Sequence, residues 1–270
     1  MIKMKKIILI GIVLLIFLAA CIQQNSVTEV NNSNTNTNGN QTNEIQKKDC
    51  VSITDSMIFD ESFNGKTIKL CEGIQNISQG ILVIGNDMTI ECDGTVIQGE
   101  EELEGIKITG NNNTIKNCII QNFRYGLLLR GENNKITNNT LKNNFYGIAL
   151  EYSYNTEITG NTVSGNSQQG ILLKASGNNS IRNNTITGNA WGIWLDRAES
   201  NIIENNTITG NALDGIRLYN NSVNNNLSQN TITGNTTGIR MENPENNTIG
   251  NNTLQDNNTS TITGNNDIQE

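Results

Sequence analysis

A glycine followed by isoleucine or leucine returns at Gly105, Gly126, Gly147, Gly170, Gly192, Gly215 and Gly238, at intervals of 21, 21, 23, 22, 23 and 23 residues. A fixed period of this length means that one supersecondary unit is repeated along the chain. Two further apolar positions keep pace with it: Ile115, Ile136, Ile158, Ile181, Ile203, Leu227 and Ile249, then Ile120, Leu141, Val163, Ile186, Ile208, Ile232 and Leu254. Each unit therefore carries three short apolar pieces. In "GIWL" (Gly192 to Leu195) apolar and variable positions alternate, the period-two mark of a strand with one buried face. Asn and Gly separate the pieces, and both tolerate the left-handed backbone of sharp corners. No run has helical periodicity. A coil of three short strands cannot bury its apolar face alone, but stacked coils share a core and pair as parallel sheets at about 4.8 Å per coil. The expected fold is all-β, a right-handed parallel β-helix with three-strand coils of about 22 residues.

The motif "NNTITGNxxGIxL", with "MTIECDGTVIQG" (Met88 to Gly99) and "NNTIKNCIIQNFRYGLLL" (Asn112 to Leu129), resembles the parallel β-helix repeats of NosD-type proteins, of the carbohydrate-binding and sugar-hydrolase (CASH) group. The resemblance spans residues 74–262. It implies the pectin lyase-like β-helix fold, and it implies function only weakly, because that scaffold carries lyases, hydrolases, epimerases, adhesins and non-catalytic modules. It also implies copper handling, which the residues do not support. The chain has no histidine and few, scattered methionines, and its exported cysteines are expected to be oxidised, so soft or imidazole ligands are missing.

The N-terminus, "MIKMKKIILIGIVLLIFLAAC", places three lysines before an uncharged apolar run from Ile7 to Ala20, the layout of an export signal and too short for a membrane span. Its end resembles a lipobox, so residues 1–20 are expected to be a lipoprotein signal peptide and Cys21 the lipidated residue, anchoring an extracytoplasmic protein to the membrane. An ordinary cleavable signal followed by secretion is the alternative. Residues 21–48 are Asn/Thr-rich with few large apolar side chains, and read as a disordered tether. The folded part divides into an N-terminal cap over residues 49–82, the β-helix over 83–265 and a tail at 266–270. No capping element is visible at the C-terminal end. A monomer is expected.

The formal charge is −8, and loss of the three leader lysines makes it more negative still. No basic stripe is present, which argues against a nucleic-acid partner. Cys50, Cys71, Cys92 and Cys118 remain, and three pairings are possible. Cys92 and Cys118 hold nearly matching places in successive coils, which favours that pair and leaves Cys50 with Cys71. Close Cys-x-x-Cys pairs are absent, so zinc is not expected.

Asn-x-Ser/Thr is frequent enough to suggest glycosylation. Asn138, Asn183, Asn205 and Asn251, however, recur at one coil position, where stacked amides could hydrogen-bond along the axis. They are expected to form a ladder; Asn40, in the tether, is the candidate acceptor.

Two rows should face outward from the strands that follow the glycines. One runs Lys107, Leu128, Ala149, Leu172, Trp194, Arg217, Arg240, and the other Thr109, Arg130, Glu151, Lys174, Asp196, Tyr219, Glu242. Tyr125, Tyr146, Trp191 and Asp214 directly precede the glycines. A sheet bearing aromatic faces and planar polar groups suits a polysaccharide, whose rings stack on indole while Arg, Asp and Glu bind hydroxyls or uronates. The expected contact surface is Trp191, Trp194, Asp196, Arg217, Tyr219, Arg240 and Glu242. The bland alternative makes Trp191 a corner filler and the charges a solvated salt-bridge ladder. If the chain is an enzyme, a lyase or glycoside hydrolase, Asp196, Asp214, Arg217 and Arg240 are the catalytic candidates. A structural spacer or adhesin is the third reading. No cofactor is expected; the acidic run Glu100, Glu101, Glu102 and Glu104 reads as a solvated loop, with calcium as its alternative.

Overall fold

The computed structural model describes residues 50–53, 56–242 and 245–264. The leader, Cys21 and Asn40 lie outside them. The chain separates into units 1–47 and 48–270, and the second carries the fold.

That unit winds as a right-handed parallel β-solenoid with three sheets. The first sheet has ten strands, from Met57–Phe59 to Thr259–Gly264. The second, from Thr67–Lys69 to Thr248–Gly250, and the third, from Gly73–Asn76 to Thr253–Gln255, have nine each. Every strand pairs in parallel with its equivalent one coil away, and all three apolar columns fall into register, for example Ile193 with Ile216, Ile181 with Ile203 and Ile186 with Ile208. These six side chains are fully buried. Each removes enough apolar surface from water to stabilise by about 1.5–3 kcal/mol.

The regular glycine sits where the chain turns into the first sheet. A Cβ on Gly215 would lie 2.5 Å from Ile232 Cγ2 and 2.7 Å from the Gly238 carbonyl oxygen. The repeat letter is glycine because the next coil already occupies that space.

At the corners the double asparagines divide their work, and the ladder lies one residue beyond the expected one. Asn138, Asn183, Asn205 and Asn251 are exposed and adopt φ of 55–56°, the left-handed conformation that turns the chain. The stacked amides belong to Asn139, Asn161, Asn184, Asn206, Asn230 and Asn252. In this column the backbone N–H and Nδ2 of Asn184 both donate to Asn206 Oδ1 at 3.0 Å, while Asn184 Nδ2 also donates to the Ile158 carbonyl at 2.9 Å. A second column runs from Asn144 to Asn257, and a third through Asn179, Asn201, Asn225 and Asn247. The turning position needs only a positive φ, so Asn143 (φ 55°) and Gly165 (φ 63°) fill it in successive coils. The ladder position needs an amide that donates and accepts, so asparagine stays there.

Residues 57–76, expected within a cap, form the first complete coil and pair into all three sheets. Val51 adds a bridge to Leu70 on its outer side. Disulfides join Cys50 to Cys71 and Cys92 to Cys118 across this end. Cys118 heads the amide column, its N–H donating to Asn139 Oδ1 at 3.0 Å. Closing loops of this size stabilises by about 3 kcal/mol each. Reduction is therefore expected to lower the denaturation midpoint of the first coils, and equal urea curves with and without reductant would contradict it.

Candidate functional site

The first outward row is present as written: Lys107, Leu128, Ala149, Leu172, Trp194, Arg217 and Arg240 are successive register partners. In the second row Glu151, Lys174, Asp196 and Tyr219 follow one another. A third row precedes the glycines, with Tyr125 beside Tyr146, Gln169 beside Trp191 and Asp214 beside Thr237. Outward does not mean exposed throughout. Leu128 and Ala149, shorter than the Lys107, Arg130 and Tyr146 side chains near them, are buried.

The rows converge around Trp194. Its indole meets Trp191 edge-on at 5.1 Å and Tyr219 edge-on at 6.0 Å. The Arg217 guanidinium lies over the Trp194 ring at 4.4 Å and over Tyr219 at 5.3 Å, a cation–π arrangement. The same guanidinium donates from Nη2 to Glu242 Oε1 at 2.6 Å and reaches Asp214 Oδ2 at 3.9 Å. Arg240 donates from Nε to Asp214 Oδ1 at 2.9 Å and from Nη2 to Thr237 Oγ1 at 3.0 Å. Asp214, 3% exposed, is thus held by two arginines.

Two expectations change. Trp191 and Trp194 are half-buried, and Trp194 does not stand free, because a long neighbouring side chain, Arg217, folds across its indole. Asp196 stays in register with Tyr219, but its carboxylate is engaged by other neighbours: it pairs with Arg197 Nε at 3.4 Å and accepts from Asn220 Nδ2 at 3.0 Å. The catalytic set Asp196, Asp214, Arg217 and Arg240 is therefore split, with Asp214 and Glu242 sharing Arg217 and Asp196 engaged elsewhere.

One member escapes the sequence reading. Gln169 is 7% exposed and its Oε1 is buried without a hydrogen-bond partner. Its position in line with Trp191, directly before a glycine, is the available signal. Nε1 of Trp191, Nε1 of Trp194 and Nε of Arg217 are likewise buried and unpartnered. One acceptor and three donors thus lack a hydrogen-bond partner within the protein in one cluster.

Two coils toward the N-terminus the aromatic strip continues. Tyr125 and Tyr146 stack at 4.7 Å, with the exposed Phe145 edge-on to Tyr146 at 4.9 Å. Burial, reinforced by the Glu151 charge, pushes the Tyr125 phenol above its ordinary value. A depression of about 580 Å³ beside them is lined by Glu101, Glu102, Arg124, Asn143, Phe145 and Ser167. Glu104 turns to Lys107 at 3.8 Å. Among the described residues no three His, Cys, Asp or Glu side chains converge as a metal site, in the acidic run or elsewhere.

Among solved structures, the fold is similar to the periplasmic alginate epimerase AlgG, with a TM-score of 0.58 and 15% identity over 67% of this chain and 51% of that one. It is also similar to the Dettilon tailspike protein, with a TM-score of 0.53 and 16% identity over 76% and 52%. The enzymatically active domain of bacteriophage CBA120 tailspike protein 2 gives 0.54 and 15% over 70% and 38%. The chain spans about half the length of the first two, and at these identities the likeness is one of fold. No curated protein matches it.

Among the described residues the donors that copper favours are not assembled. The sequence has no histidine, the four described cysteines are in disulfides, and Met57, Met88 and Met241 are separate core residues. The family model described as periplasmic copper-binding protein (NosD) matches residues 18–194 and 86–269, most of the sequence, and the chain belongs to the NosD family.

Proposed function

We propose that this chain is an extracytoplasmic module that binds polysaccharide on the outward face of its first sheet, held at the membrane by a lipid on Cys21. The observation that carries the reading is the Trp191–Trp194–Tyr219 cluster with its unpartnered donors and acceptor. Sugar hydroxyls both donate and accept, so one ligand class satisfies Gln169 Oε1 together with the indole N–H groups, and sugar C–H faces suit the indoles. These atoms are shielded from solvent, so a glycan reaches them as the covering side chains shift. A family described as periplasmic, two disulfides, and neighbours named as an alginate epimerase and tailspikes all favour polysaccharide outside the cytoplasm. Binding is favoured over cleavage because Asp214 and Glu242 are both committed to Arg217, and Asp196 is engaged by Arg197 and Asn220.

The test is a glycan array followed by titration of whatever binds. Trp194→Ala is expected to weaken affinity about tenfold or more, equivalent to about 1.4 kcal/mol, with an unchanged circular dichroism spectrum. Full affinity in this variant would remove Trp194, and with it the proposed surface.

A further inference from the structure

Most cations of this face are paired. Lys107 pairs with Glu104, and Arg130 with Glu151 at 2.7 Å. Lys174 is in register with Glu151 and Asp196 but forms no ion pair among the described residues, and as a single ammonium it offers no guanidinium fork. Arg197 pairs with Asp196, Arg240 with Asp214, and Arg217 with Glu242 and Asp214. A uronate or sulfate is best bound by a guanidinium offering two parallel N–H groups to its oxygens. Arg217 does not offer that fork, since its Nη2 is on Glu242, its Nη1 faces Asp214 and its plane covers Trp194. An incoming carboxylate would have to displace Glu242 and then remain beside it, with like charges a few ångströms apart. The chain as a whole carries −8, which repels a polyanion before contact.

Resting on the carbohydrate-binding reading, we infer that the site selects neutral polysaccharide against uronate-rich or sulfated polymers, and that Glu242 sets this selectivity by masking Arg217. Asp214 is buried beneath the pair and positions both arginines; Glu242, 38% exposed at its side chain, is the member a ligand meets. Removing its charge turns Arg217 from a stacking platform into an anion receptor.

The experiment is native affinity electrophoresis of the exported chain through gels containing laminarin, galactomannan, alginate or polygalacturonate, at low and high salt. Wild-type protein is expected to be retarded by a neutral polymer and to run freely in the two uronates. Glu242→Ala is expected to gain alginate retardation, with apparent affinity at least tenfold above wild type and lost at high salt. Glu242→Gln, which removes the charge and keeps an acceptor for Arg217, is expected to gain less. Wild-type retardation by alginate or polygalacturonate overturns the inference while leaving the carbohydrate-binding reading standing. Absence of any gain in Glu242→Ala also overturns it. Failure of all four polymers to retard either protein overturns both.

Discussion

Asn206→Ala is expected to destabilise the solenoid by about 3–5 kcal/mol, from two or three buried polar groups left without partners at about 1–3 kcal/mol each. Asn206 Nδ2 donates to the Ile181 carbonyl at 2.9 Å and to Asn230 Oδ1 at 3.0 Å. Its own Oδ1 accepts from the backbone N–H and Nδ2 of Asn184. Alanine removes all four contacts from a residue that is 1% exposed. The adjacent Asn205→Ala is the matched control. Asn205 is exposed with φ 56°, so its loss exposes no orphaned group and adds only left-handed strain, about 1–2 kcal/mol. Urea denaturation of the pair reads the difference. A larger loss for Asn205 than for Asn206 would return the ladder to the glycosylation-motif asparagine.

Gly215→Ala is expected to destabilise by about 3 kcal/mol, the range for forcing a carbon into a closed core. The added carbon meets Ile232 Cγ2, the Gly238 carbonyl oxygen and, at 3.1 Å, Asn235 Nδ2. Ile232 could rotate, but the Gly238 oxygen belongs to the backbone of the next coil, so relief requires the coils to separate. Gly210 provides the contrast, with φ 61° and nothing within 4 Å of an added Cβ. Gly210→Ala thus tests backbone strain alone, and its denaturation midpoint should fall less than that of Gly215→Ala.

The fold is legible in the sequence because three apolar columns and one glycine keep a common period, and only stacked coils place all four in register. The outward rows follow from the same alternation, down to the Trp194, Arg217 and Arg240 column. The ladder falls one residue away from its expected place because both asparagines of each pair recur with the same period. Periodicity cannot tell a residue repeated for its φ from one repeated for its amide. The state of Trp194 is not legible either, since alternation gives the direction of a side chain but not whether Arg217 folds over it. Adjacent coils put Asp196 and Asp214 in one candidate set although they stand in different rows, and the sequence does not show that Arg197 and Asn220 engage Asp196. Gln169 carries neither charge nor ring, and its importance appears only once its oxygen is found without a partner.

The chain contains two tryptophans, Trp191 and Trp194, and both belong to the proposed site, so intrinsic fluorescence reports on it without a label. Titration of the folded protein with a neutral polysaccharide that it binds on an array is predicted to give a saturable change in tryptophan emission, with a midpoint equal to the binding affinity. A glycan that binds at saturation while emission stays unchanged would contradict the account, because the sugar would then occupy another surface.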